Sequence, residues 1–177
     1  MRVRNFRQED IPALFHIHQL AAQTDGTPAK NMAEFEAWLA APGLDAASNV
    51  FVVMDDEESN EWGQGGTLEG VEGEVIGYTV LQLHQSQHAY HLRCEGAVHP
   101  EHRRRHAGLA LLICALNRAR IWAFEFEFEA QQEGRSIYFE ALLPQSDPAS
   151  ENLAAQCEMQ PVNEEVVEGM RLYRSEL

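Results

Sequence analysis

The sequence predicts an α/β (α+β) chain folded as one domain over residues 1–177. Three observations predict it. Short β-branched runs such as NVFVVM (49–54) and EVIGYTVLQL (74–83) read as strands. Longer stretches with apolar residues three and four apart read as helices between them. One segment, residues 91–120, joins the two kinds of element through a basic turn: a strand, then Arg103, Arg104 and Arg105, then a helix. At 177 residues and 45% apolar composition, the chain can bury roughly 70% of its unfolded surface without disulfides.

Each element has its own signal. Residues 2–6 alternate and read as a first strand. Residues 8–10 open a helix that tolerates Pro12 in its first turn. Ile11, Leu14, Phe15, Ile17, His18 and Ala22 give that helix a broad apolar face. Residues 24–31, with Gly26 and Pro28, form a loop. Residues 32–41 carry Phe35, Trp38 and Leu39 as a second helix, stopped by Pro42 and Gly43. Residues 49–54 form the next strand. Residues 55–73 are acidic, glycine-rich and without period, so they read as a long flexible hairpin loop. Trp62 inside it either docks on the body or marks a contact. Residues 74–83 and 89–98 read as antiparallel neighbours across a turn containing His84 and His88. A helix starts near Arg105. Past Arg120, Phe124, Phe126 and Phe128 alternate with glutamates at strand period. No breaker precedes them, however, and Gly134 suits a helix C-cap, so the helix is extended to about Gln132. Residues 136–143 form a strand stopped by Pro144, residues 150–157 a short helix, and residues 169–174 a last strand.

Composition narrows the function classes. A net charge of −15 argues against non-specific nucleic-acid binding. Such a surface favours a cationic partner such as an amine, or serves solubility alone. Three cysteines, odd in number and widely spaced, form no ligand pattern and read as reduced thiols of a cytoplasmic protein. No metal site is expected, because His16, His18, His84 and His88 lack the spacing of a closed site. No apolar run opens the chain and none approaches about 18 residues, so neither a signal peptide nor a membrane span is expected. Three adjacent arginines in this acidic chain mark where an anion would bind. The first N–H groups of the following helix lack internal partners, and its dipole adds about half a positive charge there. A pyrophosphate suits such a terminus.

The stretch AVHPEHRRRHAGLALL (97–112) resembles the acetyl-CoA-binding segment of the GNAT N-acyltransferases. The opening VRNFRQEDIPALFHIH (3–18) is similar to the family's first strand and helix. The order β-α-α-β-β-β-α-β-α-β is also that of the family. Without gaps, Arg103 takes the family's Arg/Gln place, Gly108 its final Gly, and His106 stands where the family usually has Gly. A second register, through Arg105, Gly108 and Ala110, needs two extra loop residues. Near the C-terminus no tyrosine lies between Asn152 and Pro161, and Glu158-Met159 replaces Gly-Phe.

The resemblance implies a mixed, mostly antiparallel twisted sheet of six to seven strands flanked by about four helices. It implies acetyl-CoA as acyl donor and a small-molecule primary amine as acceptor. It assigns cofactor binding to Ala97, Val98, His99, Arg103, Arg104, Arg105, His106, Ala107, Gly108 and Leu109. In that assignment the pyrophosphate lies on the N–H groups of residues 104–109, and the oxyanion donor comes from the backbone around Ala97 and Val98. Asn152 takes the place of an asparagine that contacts the pantetheine arm. Glu95 is the leading candidate for the base, or else a surface or salt-bridged carboxylate. His91 is a weaker candidate, and Cys94 occupies a position where some relatives carry a base. No leaving-group acid is evident. Glu34 and Glu36 either face the amine or form a solvated helix face. The phrase EGAVHPEHRRRH also resembles repeats in tandem GNAT proteins related to mycothiol synthase, so the chain reads as a solitary relative, a half, or one protomer of a homodimer. The alternative function is a CoA-binding module of little or no activity, to which His106 and the altered C-terminal part point.

Overall fold

A computed structural model describes residues 1–55, 73–163 and 166–177. The expected loop over 55–73, with Trp62, lies outside the described residues except at its two ends. Among the described residues, seven strands form one sheet: β1 (Arg2–Asn5), β2 (Val50–Asp55), β3 (Glu74–Gln85), β4 (Ala89–Val98), β5 (Ser136–Pro144), β6 (Gln160–Pro161) and β7 (Met170–Glu176). Their order across the sheet is β1-β2-β3-β4-β5-β7-β6. The β4–β5 pair is parallel and the other pairs are antiparallel. The described residues form six α-helices beside it: α1 (Ile11–Asp25), α2 (Met32–Leu39), α3 (Ala46–Asn49), α4 (Ala107–Ala123), α5 (Glu127–Glu133) and α6 (Ser150–Gln156).

The strand period divides the helices between the two faces. On one face α1 and α2 bury Leu14, Ile17 and Phe35 against Val50, Val52, Tyr78 and Val80. On the other, Leu112, Ala115 and Ala119 of α4 meet Leu92, Phe139 and Ala141, with Ala154 of α6 alongside. Full burial of each large apolar side chain contributes roughly 1.5–3 kcal/mol. Asp10 fixes the entry to α1: both carboxylate oxygens accept from Arg4, at 2.8 and 2.7 Å, and one accepts the Arg7 N–H at 2.7 Å.

Three details depart from the sequence reading. The helix expected to run to about Gln132 ends at Ala123, and α5 leaves it at 67°. Phe126 causes the break, because it turns inward to stack on Tyr90 at 4.7 Å while Phe124 and Phe128 stay exposed. Gly134 does act as a C-cap, in the left-handed conformation, but for α5. The short elements α3 and β6, four and two residues long, are too brief to carry a periodic signal.

Candidate active site

The parallel pair opens a gap in the sheet. Pairing of β4 with β5 ends at Cys94 opposite Ala141, whereas β4 stays paired with β3 to Val98. Among the described residues, 95–98 therefore have no strand paired on their β5 side. Gly96 lets β3 and β4 close together there: a Cβ at that position would lie 2.1 Å from the Tyr78 carbonyl oxygen and 2.7 Å from the Thr79 Cα. The His99 N–H bonds the Ile76 carbonyl at 2.8 Å. By the alternation of an antiparallel ladder, the Val98 backbone then turns away from β3. Its carbonyl accepts from Arg103 Nε at 3.3 Å.

A cavity of about 820 Å³ occupies the gap. Its walls are the C-terminal half of α1 with the following loop, the β3–β4 pair, the start of α4, residues 142–144 of β5, and α6. Such a volume is that of a small-molecule or cofactor site. Of the sequence candidates, Glu95, Ala97, Val98, Arg103, Arg104, His106, Gly108, Leu109 and Asn152 line it. His99, Arg105 and Ala107 do not. His99 caps a 3-10 turn at Pro100–His102, Arg105 points to Asp55 at 3.9 Å, and Ala107 is buried in the core against Val53 and Ile76.

The basic turn is less uniform than its sequence suggests. Arg103 makes a two-pronged pair with Asp25 at 2.7 and 2.8 Å, tying the end of α1 to the loop. That hydrogen bonding raises its already high pKa, so it is always charged. Arg104 bonds Asp147 at 2.6 Å but stays more than half exposed, as does Arg105. His106 sits just before α4 with a φ of 64°, where glycine is at ease and a histidine is strained. Among the described residues no side chain caps α4 at His106, so its first N–H groups are donors at the cavity wall. The gap, the start of α4 and the exposed Arg104 are together suited to an elongated ligand with an anionic end.

At the other end, four side chains converge that the sequence alone does not bring together. Lys30 Nζ lies 3.1 Å from Glu95 Oε1. The Lys30 N–H donates to His18 Nε2 at 2.9 Å. His18 Nδ1 is 3.2 Å from the Tyr78 hydroxyl. Burial, then the Lys30 charge, lowers the His18 pKa against an opposing pull from Glu95, so the ring is neutral at pH 7. Its Nε2 accepts from Lys30, so its one proton is on Nδ1 and is donated to Tyr78. The Tyr78 O–H is thereby left as a donor. Burial, reinforced by the Glu95 charge, raises its pKa well above the ordinary 10, which keeps that proton in place.

The remaining candidates stand elsewhere. His91 is bound by Glu140 at 2.8 Å and Ser86 at 3.2 Å and does not reach the cavity. Cys94 lines the wall, but burial pushes its thiol up to about 12, so it is no base at neutral pH. Glu34 lines the cavity while closing a capping box with Asn31 at the start of α2. Tyr78, His18 and Lys30 are the functional candidates that sequence reasoning missed. The available signal was the lysine, since the chain has twelve arginines and only this one lysine.

A mixed open sheet that parts at its parallel pair, beside an uncapped helix N-terminus, defines the fold class of the GNAT N-acetyltransferases. The comparison with solved structures gives the same fold. The chain superposes with a TM-score of 0.63 at 17% identity on yncA from Salmonella typhimurium, assigned as an acetyltransferase and solved with its cofactor acetyl-CoA, over 99% of this chain and 93% of that one. A ribosomal-protein-alanine N-acetyltransferase from Brucella melitensis matches with a TM-score of 0.60 at 16% identity over the whole of both chains. A GCN5-related N-acetyltransferase from Sphaerobacter thermophilus matches over 91% of this chain but 44% of its own, with a TM-score of 0.56 at 18% identity. No family model and no curated protein matches the sequence.

Proposed function

We propose that this protein is an acyl-CoA-dependent N-acyltransferase that moves an acetyl group from acetyl-CoA to the primary amine of a small molecule. The gap between β4 and β5, leading to the uncapped start of α4, carries the reading. Acetyl-CoA supplies an activated acyl group as a thioester. The residues present fit it: residues 95–98 offer a strand edge to the amide-bearing arm, Asn152 lines the same cavity from α6, and the N–H groups of residues 104–109 with Arg104 would receive the pyrophosphate.

The amine has to lose its proton before it attacks. The Glu95 carboxylate, already holding an ammonium at 3.1 Å, accepts it. The Val98 N–H, turned into the gap, stabilises the oxyanion. The Tyr78 O–H, oriented by His18, gives the departing thiolate a proton. The net charge of −15 supports a cationic acceptor, and the walls around Lys30, Tyr78 and Glu95 favour one small enough to enter the gap.

Thiol release from acetyl-CoA, measured across a panel of small primary amines, tests the proposal. Turnover with at least one amine, lost in the Tyr78→Phe variant, is the expected result. Binding of acetyl-CoA with no turnover on any amine would instead leave a CoA-binding module, the reading that the strained His106 favours.

A further inference from the structure

Lys30 is the only lysine of the chain, and it is held in the site. Its backbone is clamped on both sides: the N–H donates to His18 Nε2 at 2.9 Å, and the carbonyl accepts from Gln19 Nε2 at 2.6 Å. Its ammonium has two partners of the kind that recognise a cation. One is the Glu95 carboxylate at 3.1 Å. The other is the face of Trp38, 4.5 Å from ammonium to ring centroid. Trp38 is itself fixed, because its indole N–H donates to Gln82 Oε1 at 3.0 Å. A carboxylate and a braced aromatic face together form an alkylammonium subsite. The chain fills that subsite with its own amine, at the wall it shares with Tyr78 and the end of β4.

We infer that Lys30 is an acetyl acceptor within the same chain, and that acetyl-CoA bound in the gap modifies it. The inference rests on the proposed acyl transfer and adds an acceptor to it. The Lys30 ammonium gives one proton to Glu95, which passes it to water. The neutral Nζ attacks the thioester carbonyl carbon, so a C–N bond forms and the C–S bond breaks. Tyr78 gives the departing thiolate a proton and takes up the second nitrogen proton, so the products are the Lys30 amide and the free thiol of CoA. The side chain is about one-third exposed and held through contacts at its tip, and it lines the same cavity as residues 95–98. Acetylation removes the Lys30 charge. Glu95 then has no ammonium of its own chain, and the subsite is open to an external amine.

The experiment incubates the full-length protein with isotope-labelled acetyl-CoA and maps the product by peptide mass spectrometry. The expected result is one acetyl group per chain on Lys30, formed at a rate independent of protein concentration and absent from Lys30→Arg. In Glu95→Gln the rate should fall about 10²-fold or more, as for a lost base. A mere chemical acetylation needs no carboxylate and does not slow in this variant. An unchanged or faster rate in Glu95→Gln therefore overturns the inference. An unmodified Lys30 in a protein that binds acetyl-CoA and acetylates external amines overturns it and leaves the proposed function standing. Absence of acetyl-CoA binding overturns both.

Discussion

Glu95→Gln separates a catalytic carboxylate from a structural one. The substitution keeps the shape and a hydrogen-bond acceptor toward Lys30 while removing the charge. Its stability effect follows from exposure. The two side chains of the pair are 28% and 31% exposed, so water screens them. The loss should therefore stay within about 1 kcal/mol, the range of solvent-accessible ion pairs. For a protein of this length that corresponds to a fall in Tm of only about 2–4 °C. The catalytic effect should be much larger. A positioned base contributes about 10²- to 10⁴-fold, so kcat for amine acetylation should fall by at least about 10²-fold. Affinity for acetyl-CoA should not change, because the proposed binding mode uses only the backbone of residues 95–98. Thiol release, a thermal melt and a calorimetric titration read the three quantities. A kcat within about threefold of the parent would refute the role of Glu95, since general-base catalysis predicts at least 10²-fold. A large drop in Tm would recast Glu95 as structural.

Three further outcomes follow from the geometry. Gly96→Ala places a Cβ 2.1 Å from the Tyr78 carbonyl oxygen, so it should destabilise the fold by roughly 1–3 kcal/mol and weaken acetyl-CoA binding, and a wild-type melt would contradict the close approach. Glu140 is fully buried and bonded to His91, Arg93 and Arg174, so Glu140→Gln should cost about 3 kcal/mol in a denaturant titration, as for a broken buried pair. Burial raises the Glu140 pKa, but those hydrogen bonds outweigh it and set the folded value below the ordinary 4.5. Its contribution is therefore complete above that unfolded value and is lost as pH falls through the folded one, so the acid side of the stability profile should be flatter in the variant. His106→Gly relieves a left-handed φ of 64° that costs roughly 1–2 kcal/mol, so Tm should rise, and acetyl-CoA should bind more tightly if the histidine ring obstructs the loop; an unchanged affinity counts against obstruction.

The parts of this fold legible in sequence are those whose signals are local. The β-branched strands, the apolar face of α1 and the arginine turn onto α4 each declare themselves within a dozen residues. So does the cavity wall formed by residues 95–98 with Arg103, Arg104, His106, Gly108 and Leu109, because chain continuity places it. The other end of the cavity is built otherwise. His18 and Tyr78 meet across 60 residues, and Lys30 reaches Glu95 across 65. Nothing local distinguishes Tyr78 from an ordinary core aromatic, and it is indeed 1% exposed. Arg103 shows the converse: its position in the motif suggests an anion ligand, whereas Asp25, 78 residues away, holds its guanidinium. The break at Phe124–Phe126 was hidden for the same reason, because the partner that turns Phe126 inward is Tyr90.

Calorimetric titration of the protein with acetyl-CoA tests the central claim, that the gap between β4 and β5 holds an acyl-CoA. One site per chain with a Kd in the range of about 1 μM to 1 mM is predicted, weakened when Gly96→Ala distorts the strand that lines the gap. No heat of binding at millimolar acetyl-CoA, with the protein folded, would contradict it.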